Sequence, residues 1–174
     1  AAGDIWDNGF THGAAVAYSG MGGSDAANNK SINYTLPTLM DDLSVAVSYS
    51  GQTTAVNSTT AFGVTYTGVE GLSVSYGAGE AGTTVANSAA DVTTMKASYA
   101  IGSFTVAMSN TENDVTGTGT DEEMSSFKLS YTVTDDLSIS YGEDTHETSG
   151  QSVDEEFDAV TVSYTTGGMT ITAA

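Results

Sequence analysis

The side chains in this sequence best equipped for chemistry are carboxylates. Its 174 residues include 22 Asp and Glu against three Lys and no Arg, for a formal net charge of -19. Twelve of the acids fall in two stretches: Glu112, Asp114, Asp121, Glu122 and Glu123 in one, and Glu143, Asp144, Glu147, Asp154, Glu155, Glu156 and Asp158 in the other. Such clusters can ligate a hard cation such as Ca2+, which takes several oxygens. Ringing an opening, they draw cations in and push anions away. The spacing argues against a dedicated metal loop. Asp154-Glu155-Glu156-Phe157-Asp158 lacks the order of an EF-hand, and Gly20-Met21-Gly22-Gly23-Ser24-Asp25 is a single echo of a calcium-binding Gly-rich repeat. Solvated acids on exposed loops are expected, with loop Ca2+ as the minor alternative and no other cofactor.

The remaining candidates are few. His12 and His146 are the only histidines, and neither sits in a metal-ligand spacing. A Ser-rich chain with a lone His and many Asp supplies the residue types of a hydrolytic triad without any sign of its geometry, so no enzyme is expected. Cysteine is absent, which excludes disulfides and thiolate metal sites. The charge balance excludes nucleic acid as a partner class. Lys96 and Lys128 matter for another reason: each shares the parity of the Ser and Thr residues around it and opposes Tyr99 or Leu129, so each belongs to the polar side of its segment.

That parity runs through the whole chain. In Leu43-Ser44-Val45-Ala46-Val47-Ser48-Tyr49 the bulky apolar residues take one side of a strand and small or hydroxylated residues the other. The same period of two returns at Ile32, Tyr34, Leu36; Phe62, Val64, Tyr66; Leu72, Val74, Tyr76; Phe104, Val106, Met108; Phe127, Leu129, Tyr131, Val133; Leu137, Ile139, Tyr141; Val160, Val162, Tyr164; and Met169, Ile171. No window sustains the three- and four-residue spacing of a helix. The fold class is therefore all-β, with about eleven strands counted from Phe10 to Ala174, repeating as hairpins about every 30 residues.

Connections alternate in length. Short ones are predicted at Pro37 to Asp42, Gly68 to Gly71, Ile101-Gly102, Thr134 to Asp136 and Thr166 to Gly168. Long ones are predicted through residues 20 to 30, 50 to 59, 79 to 91, 110 to 122 and 143 to 155. One end of the sheet then carries short turns and the other long loops holding the acids. Tyr34, Tyr66, Tyr99, Tyr131 and Tyr164 close strands at the short-turn end, and Tyr18, Tyr49, Tyr76 and Tyr141 close strands at the long-loop end, as two interfacial girdles would.

An antiparallel up-and-down meander of this length must curl, and closure into a barrel removes its edges. No second layer is encoded to cover the apolar face, which points to a transmembrane β-barrel with lipid outside and water inside. No run of about 18 apolar residues marks a transmembrane helix, which says nothing against a barrel. A charged and apolar leader is not visible in Ala1-Ala2-Gly3-Asp4-Ile5-Trp6. The alternative is a secreted or cell-surface structural protein or adhesin, built as a β-sandwich or solenoid from the same repeats.

Ile32-Asn33-Tyr34-Thr35-Leu36-Pro37 followed by Asp42-Leu43-Ser44-Val45-Ala46, and Phe62-Gly63-Val64-Thr65-Tyr66-Thr67 with Glu70-Gly71-Leu72-Ser73-Val74-Ser75-Tyr76-Gly77, resemble hairpins of alphaproteobacterial outer-membrane porins, marine members in particular. Phe127 to Val133 with Asp136 to Tyr141, and Val160 to Thr165 with Gly167 to Thr172, are similar to later hairpins of that family. The resemblance covers nearly the whole chain through the number and order of degenerate motifs. It implies a 16-stranded barrel in the bacterial outer membrane, a homotrimer, and passive diffusion of small hydrophilic solutes, with cations favoured by the acidic mouth. It also implies that residues 1–174 are one domain from the later part of a longer chain, truncated at both ends. The absence of Arg departs from the basic ladder that such porins set across their constriction, so no constriction residue is transferred by position.

Overall fold

A computed structural model describes residues 31–37, 40–51, 58–81, 90–117 and 119–173. Ten strands follow one another: β1 (Ser31–Thr35), β2 (Leu43–Ser50), β3 (Thr59–Tyr66), β4 (Leu72–Ala81), β5 (Ala90–Ile101), β6 (Phe104–Val115), β7 (Glu122–Thr134), β8 (Leu137–Thr148), β9 (Glu155–Thr166) and β10 (Met169–Ala173). They form a single sheet in sequence order, every pair antiparallel. The expected meander is therefore present. The strand expected to start at Phe10 lies outside the described residues. β1 and β10 pair only with β2 and β9, so the described sheet is open. Substantial strand contacts run only between ladder neighbours, with no second layer among the described residues.

The two faces differ as the alternation demands. On the apolar parity, Tyr34, Phe62, Tyr99, Phe104, Leu129, Tyr131, Ile139 and Val162 are all exposed. On the other parity, Ala46, Ala61, Ala90, Ala107, Ser109, Thr111 and Ser126 are buried, and the largest fully buried side chains are Val92 and Thr94. This is a soluble protein turned inside out. Closure of such a sheet into a barrel places its small-residue face on the inner, concave side, and a Cβ added at Gly79 on that face would lie 2.5 Å from the Ala61 Cβ across the β3–β4 ladder. A soluble monomer seldom exposes an apolar area on this scale.

Four of the five predicted short connections match to within a residue, and residues 38–39 of the fifth, Pro37 to Asp42, lie outside the described residues. Gly167-Gly168, Gly102-Ser103 and Asp135-Asp136 each join paired strand ends as two-residue loops, and both glycines of the first have positive φ, as primed hairpin turns require. Adjacent hairpins are stitched along this rim. The Thr67, Ala100, Thr132 and Thr165 amides donate to the carbonyls of Asp42, Gly71, Ser103 and Asp136.

The long connections need correction. β6 runs to Val115 and β7 starts at Glu122, leaving a loop of 116–121; β8 runs to Thr148 and β9 starts at Glu155, leaving 149–154. Residues 110 to 115, 122, 143 to 148 and 155 are strand, and β4 and β5 likewise take 79–81 and 90–91 from the predicted loop of 79 to 91; the rest of that loop, the predicted loop of 20 to 30 and residues 52–57 of that of 50 to 59 lie outside the described residues. The cause is that outward side chains there are Asn, Asp, Glu and Thr, which carry no apolar signal, while the backbone ladder continues unbroken. Strands β5 to β9 hold 12 or 13 residues. At a rise of about 3.3 Å and a tilt of about 40°, twelve residues span roughly 30 Å of height, more than the apolar band of about 25 Å that such barrels present.

Candidate pore wall and acidic rim

Lys96 and Lys128 both lie on the concave face. Lys96 pairs in register with Ser75 and Ser109, and Lys128 with Ala107 and Gly142. Both are partly buried. Around them the concave wall is lined by hydroxyls that bond one another across strands: Thr65 with Ser75 at 3.0 Å, Thr94 with Thr111 at 2.9 Å, Ser163 with Thr172 at 3.1 Å and Thr165 with Thr170 at 2.9 Å. A wall of this kind presents water with polar groups that already have partners.

The acids expected in mouth loops sit elsewhere. Only Asp121 and Asp154 occupy turns. Glu112, Asp114, Glu122, Glu123, Glu143, Asp144, Glu147, Glu155 and Glu156 stand on strands, and the pleat divides them. Glu122, Asp144 and Glu155 share the concave parity of Lys128, whereas Glu112, Asp114, Glu123, Glu143, Glu147 and Glu156 share the outward parity of Leu129. The acidic rim is thus two walls back to back. Asp121 has a structural duty besides its charge: its carboxylate accepts the Val115 amide at 2.8 Å and its carbonyl accepts the Ser149 amide at 2.8 Å, tying the two turns together.

On the outward side the register stacks like charges. Glu123 pairs with Glu112 on one side and Glu147 on the other, and Asp91 pairs with Glu80 and Asp114. Like charges directly opposite each other destabilise a sheet in isolation. Neutral partners offset part of this: Asn110 donates to Glu123 at 2.6 Å, and Thr60 donates to Glu80 from both its amide and its hydroxyl at 3.3 Å. Glu80 and Asp91 escape notice in the sequence because only the register brings them to the same row. Among the described residues, no group of three or more His, Asp or Glu side chains is placed to hold a metal ion.

The outward face also fixes a boundary. On β8 it reads Leu137, Ile139, Tyr141, then Glu143, Thr145, Glu147; on β9 it reads Glu156, Asp158, then Val160, Val162, Tyr164. Tyr141 stands at the junction and its hydroxyl donates to Glu143 at 3.1 Å. Tyr76 and Tyr141 therefore do not close their strands, which run on to Ala81 and Thr148; they mark where the apolar band ends. Tyr66, Tyr99, Tyr131 and Tyr164 do lie at the short-turn ends, and Tyr18 falls outside the described residues.

A family model for Gram-negative porins matches residues 1–174. No curated protein matches the chain. Among solved structures, in-vitro folded OmpT, an outer membrane protein of Vibrio cholerae, is 20% identical with a TM-score of 0.57 over 94% of this chain and 58% of that one. Its loop L8 deletion mutant is 18% identical with a TM-score of 0.55 over 93% and 60%. The chain spans about three fifths of the structures it matches, and at this identity the likeness is one of fold.

Proposed function

Because the chain belongs to the Gram-negative porin family and so resides in the bacterial outer membrane, we propose that its sheet forms part of the wall of a water-filled channel through which small hydrophilic solutes diffuse, cations ahead of anions. The observation that carries this is the division of the faces: hydroxyls, Lys96 and Lys128 line the concave side while Tyr, Phe, Leu and Val stand exposed outside. Solutes are then chosen by size and field rather than by a tight site, and no catalytic step is assigned. The field follows from the acids. Glu122, Asp144 and Glu155 on the concave side and Asp121 and Asp154 in the turns outnumber the two concave lysines, and the outward acids add to the same potential.

The finer assignments belong to the same proposal. A homotrimer of 16-stranded barrels of the marine alphaproteobacterial type rests on the hairpin motifs at Ile32 to Ala46, Phe62 to Gly77, Phe127 to Tyr141 and Val160 to Thr172. The rim carboxylates are read as solvated. A water-soluble surface protein would have to leave the entire outward band in contact with water, which weighs against the adhesin alternative. Planar-bilayer recording of the full-length protein tests the proposal. It should give stable ohmic steps and a reversal potential of cation sign in a salt gradient; anion preference at low salt would overturn the selectivity argument, and a monodisperse species in detergent-free gel filtration would overturn the barrel.

A further inference from the structure

The outward face of β2 to β5 carries a groove that the pore wall does not use. In the row just past the Tyr76 boundary, Val47 pairs with Phe62, Phe62 with Ala78 and Ala78 with Thr93, so the row drops from a ring to a methyl group. In the next outward row Glu80 pairs with Asp91. Between the two rows, over the backbone of Ala61 and Gly79, lies a depression of about 490 Å³. Its walls are outward side chains: Val47 and Phe62 stand exposed on one side, and Thr60, Glu80 and Asp91 on the other.

One wall is apolar and the other acidic. The Phe62 ring lies 6.0 Å from that of Tyr76, so the apolar wall continues down into the lipid-facing band. On the acidic side Glu80 and Asp91 stand opposite each other, and Asp114 follows Asp91 in register. Carboxylates so placed weaken a sheet, and a cation between them offsets the repulsion. The described Lys96, Lys128 and His146 all take the concave parity, so no base of the described chain shares this face.

That combination selects the occupant. An inorganic cation would leave the apolar wall bare, and among the described residues no group of three or more His, Asp or Glu is placed to hold a metal. A second copy of the chain would present the same acids and carry its described bases on its concave side. An amphiphile with an ammonium group meets both walls at once, its three N–H donors serving the two carboxylates. We propose that this groove binds a membrane lipid with a primary ammonium headgroup, the ammonium at Glu80 and Asp91 and an acyl chain along Phe62 and Tyr76. The proposal needs this face in the membrane and does not need a conducting channel, so lipid retention decides it whatever the bilayer recordings show.

Full-length protein in detergent micelles is given equal amounts of phosphatidylethanolamine and phosphatidylglycerol with the same acyl chains, and native mass spectrometry counts the lipids that stay bound. The ethanolamine-to-glycerol ratio of the wild type should fall about threefold in Glu80→Gln with Asp91→Asn, the scale of one exposed ion pair. Ala78→Phe, which fills the groove and keeps its charge, should lower the ratio as far. Glu156→Gln with Asp158→Asn removes as many outward carboxylates from β9, away from the groove, and should keep the wild-type ratio. An unchanged ratio in the Glu80 and Asp91 variant would overturn the proposal. So would an equal fall in the β9 variant, which would assign the preference to the net charge of the face. A wild-type ratio in folded Ala78→Phe would overturn the groove as the place of binding; should that variant fail to insert, the Glu80 and Asp91 variant against its β9 control decides alone.

Discussion

Two adjacent residues test the inside-out architecture most directly. Leu129 and Ser130 are neighbours in the chain but lie on opposite faces of β7: Leu129 pairs with Val106 and Tyr141 on the outward face, Ser130 with Thr105 and Ser140 on the concave one. Leu129 is 39% exposed with nothing of the described chain packed over it, as a lipid-facing residue should be. An arginine there must take a guanidinium into the edge of the apolar band, level with Tyr141, which costs about 1 to 2 kcal/mol, between the interfacial and mid-depth penalties, or roughly 5- to 30-fold in the folding equilibrium. Ser130→Arg puts the same group into the water-filled side and should stay within about 0.5 kcal/mol. Depth provides an internal check. Phe127 is also outward but pairs with Glu143, beyond the tyrosine boundary, so Phe127→Arg should cost only about 0 to 1 kcal/mol.

The assay is urea titration of the full-length protein in thin-bilayer vesicles, followed by the heat-modifiable gel shift of the folded barrel. Leu129→Arg should be the least stable of the three. Equal penalties for Leu129 and Ser130 would refute the assignment of faces. A larger penalty at Ser130 would mean that the sheet is curled the other way, and a Leu129→Arg protein more soluble than wild type without detergent would place it in water altogether.

Four further outcomes are expected. Gly71 has φ of 77°, and a Cβ there would meet the Ala100 carbonyl, whose amide bonds the Gly71 carbonyl at 2.8 Å; Gly71→Ala should therefore cost about 1 to 3 kcal/mol in the same titration. Glu123→Gln relieves two opposed carboxylate pairs and keeps an acceptor for Asn110, so it should stabilise by about 0.5 to 2 kcal/mol at low salt, with the gain fading as NaCl approaches 1 M. Thr94 and Thr111 share a buried hydroxyl bond. Either one changed to Val should cost about 1 to 3 kcal/mol and the double variant less than the sum, which a double-mutant cycle reads out. Lys128→Glu removes a concave positive charge and should raise the cation-over-anion permeability ratio, while Leu129→Glu, if folded, should change it less.

Strand order, parity and the short turns were legible because each has a local signature. Period-two alternation marks a strand half in lipid, and Gly or Asp pairs mark a two-residue hairpin. Sequence missed where the strands end at the acidic side. β6 continues through Asn110, Glu112 and Asp114, and β8 through Glu143, Thr145 and Glu147, although none of those outward residues is apolar. Alternation reports the solvent on each side of a strand, not the strand itself. Once both sides face water, the ladder of backbone bonds persists and its signature vanishes, so polar strand and loop look alike.

The site was less legible for a related reason. Lys96 and Lys128 can be assigned a parity from sequence because their neighbours declare it. The acids were counted as one ring of charge because, in a presumed loop, parity has no meaning. With the strands extended, parity applies again and separates Glu122, Asp144 and Glu155 from Glu112, Glu123 and Glu147. Only the first group lies on the concave parity. His146, which sits in no metal-ligand spacing in the sequence, gains its carboxylate neighbours by register with β9 and proximity to Glu122. Neither pairing is local, since Glu122 is 24 residues from His146 along the chain. The extension of the strands past the membrane boundary therefore does more than lengthen the barrel. It holds charges on a pleat, where parity decides whether a carboxylate stands on the small-residue face or the apolar one, a distinction that a loop does not impose.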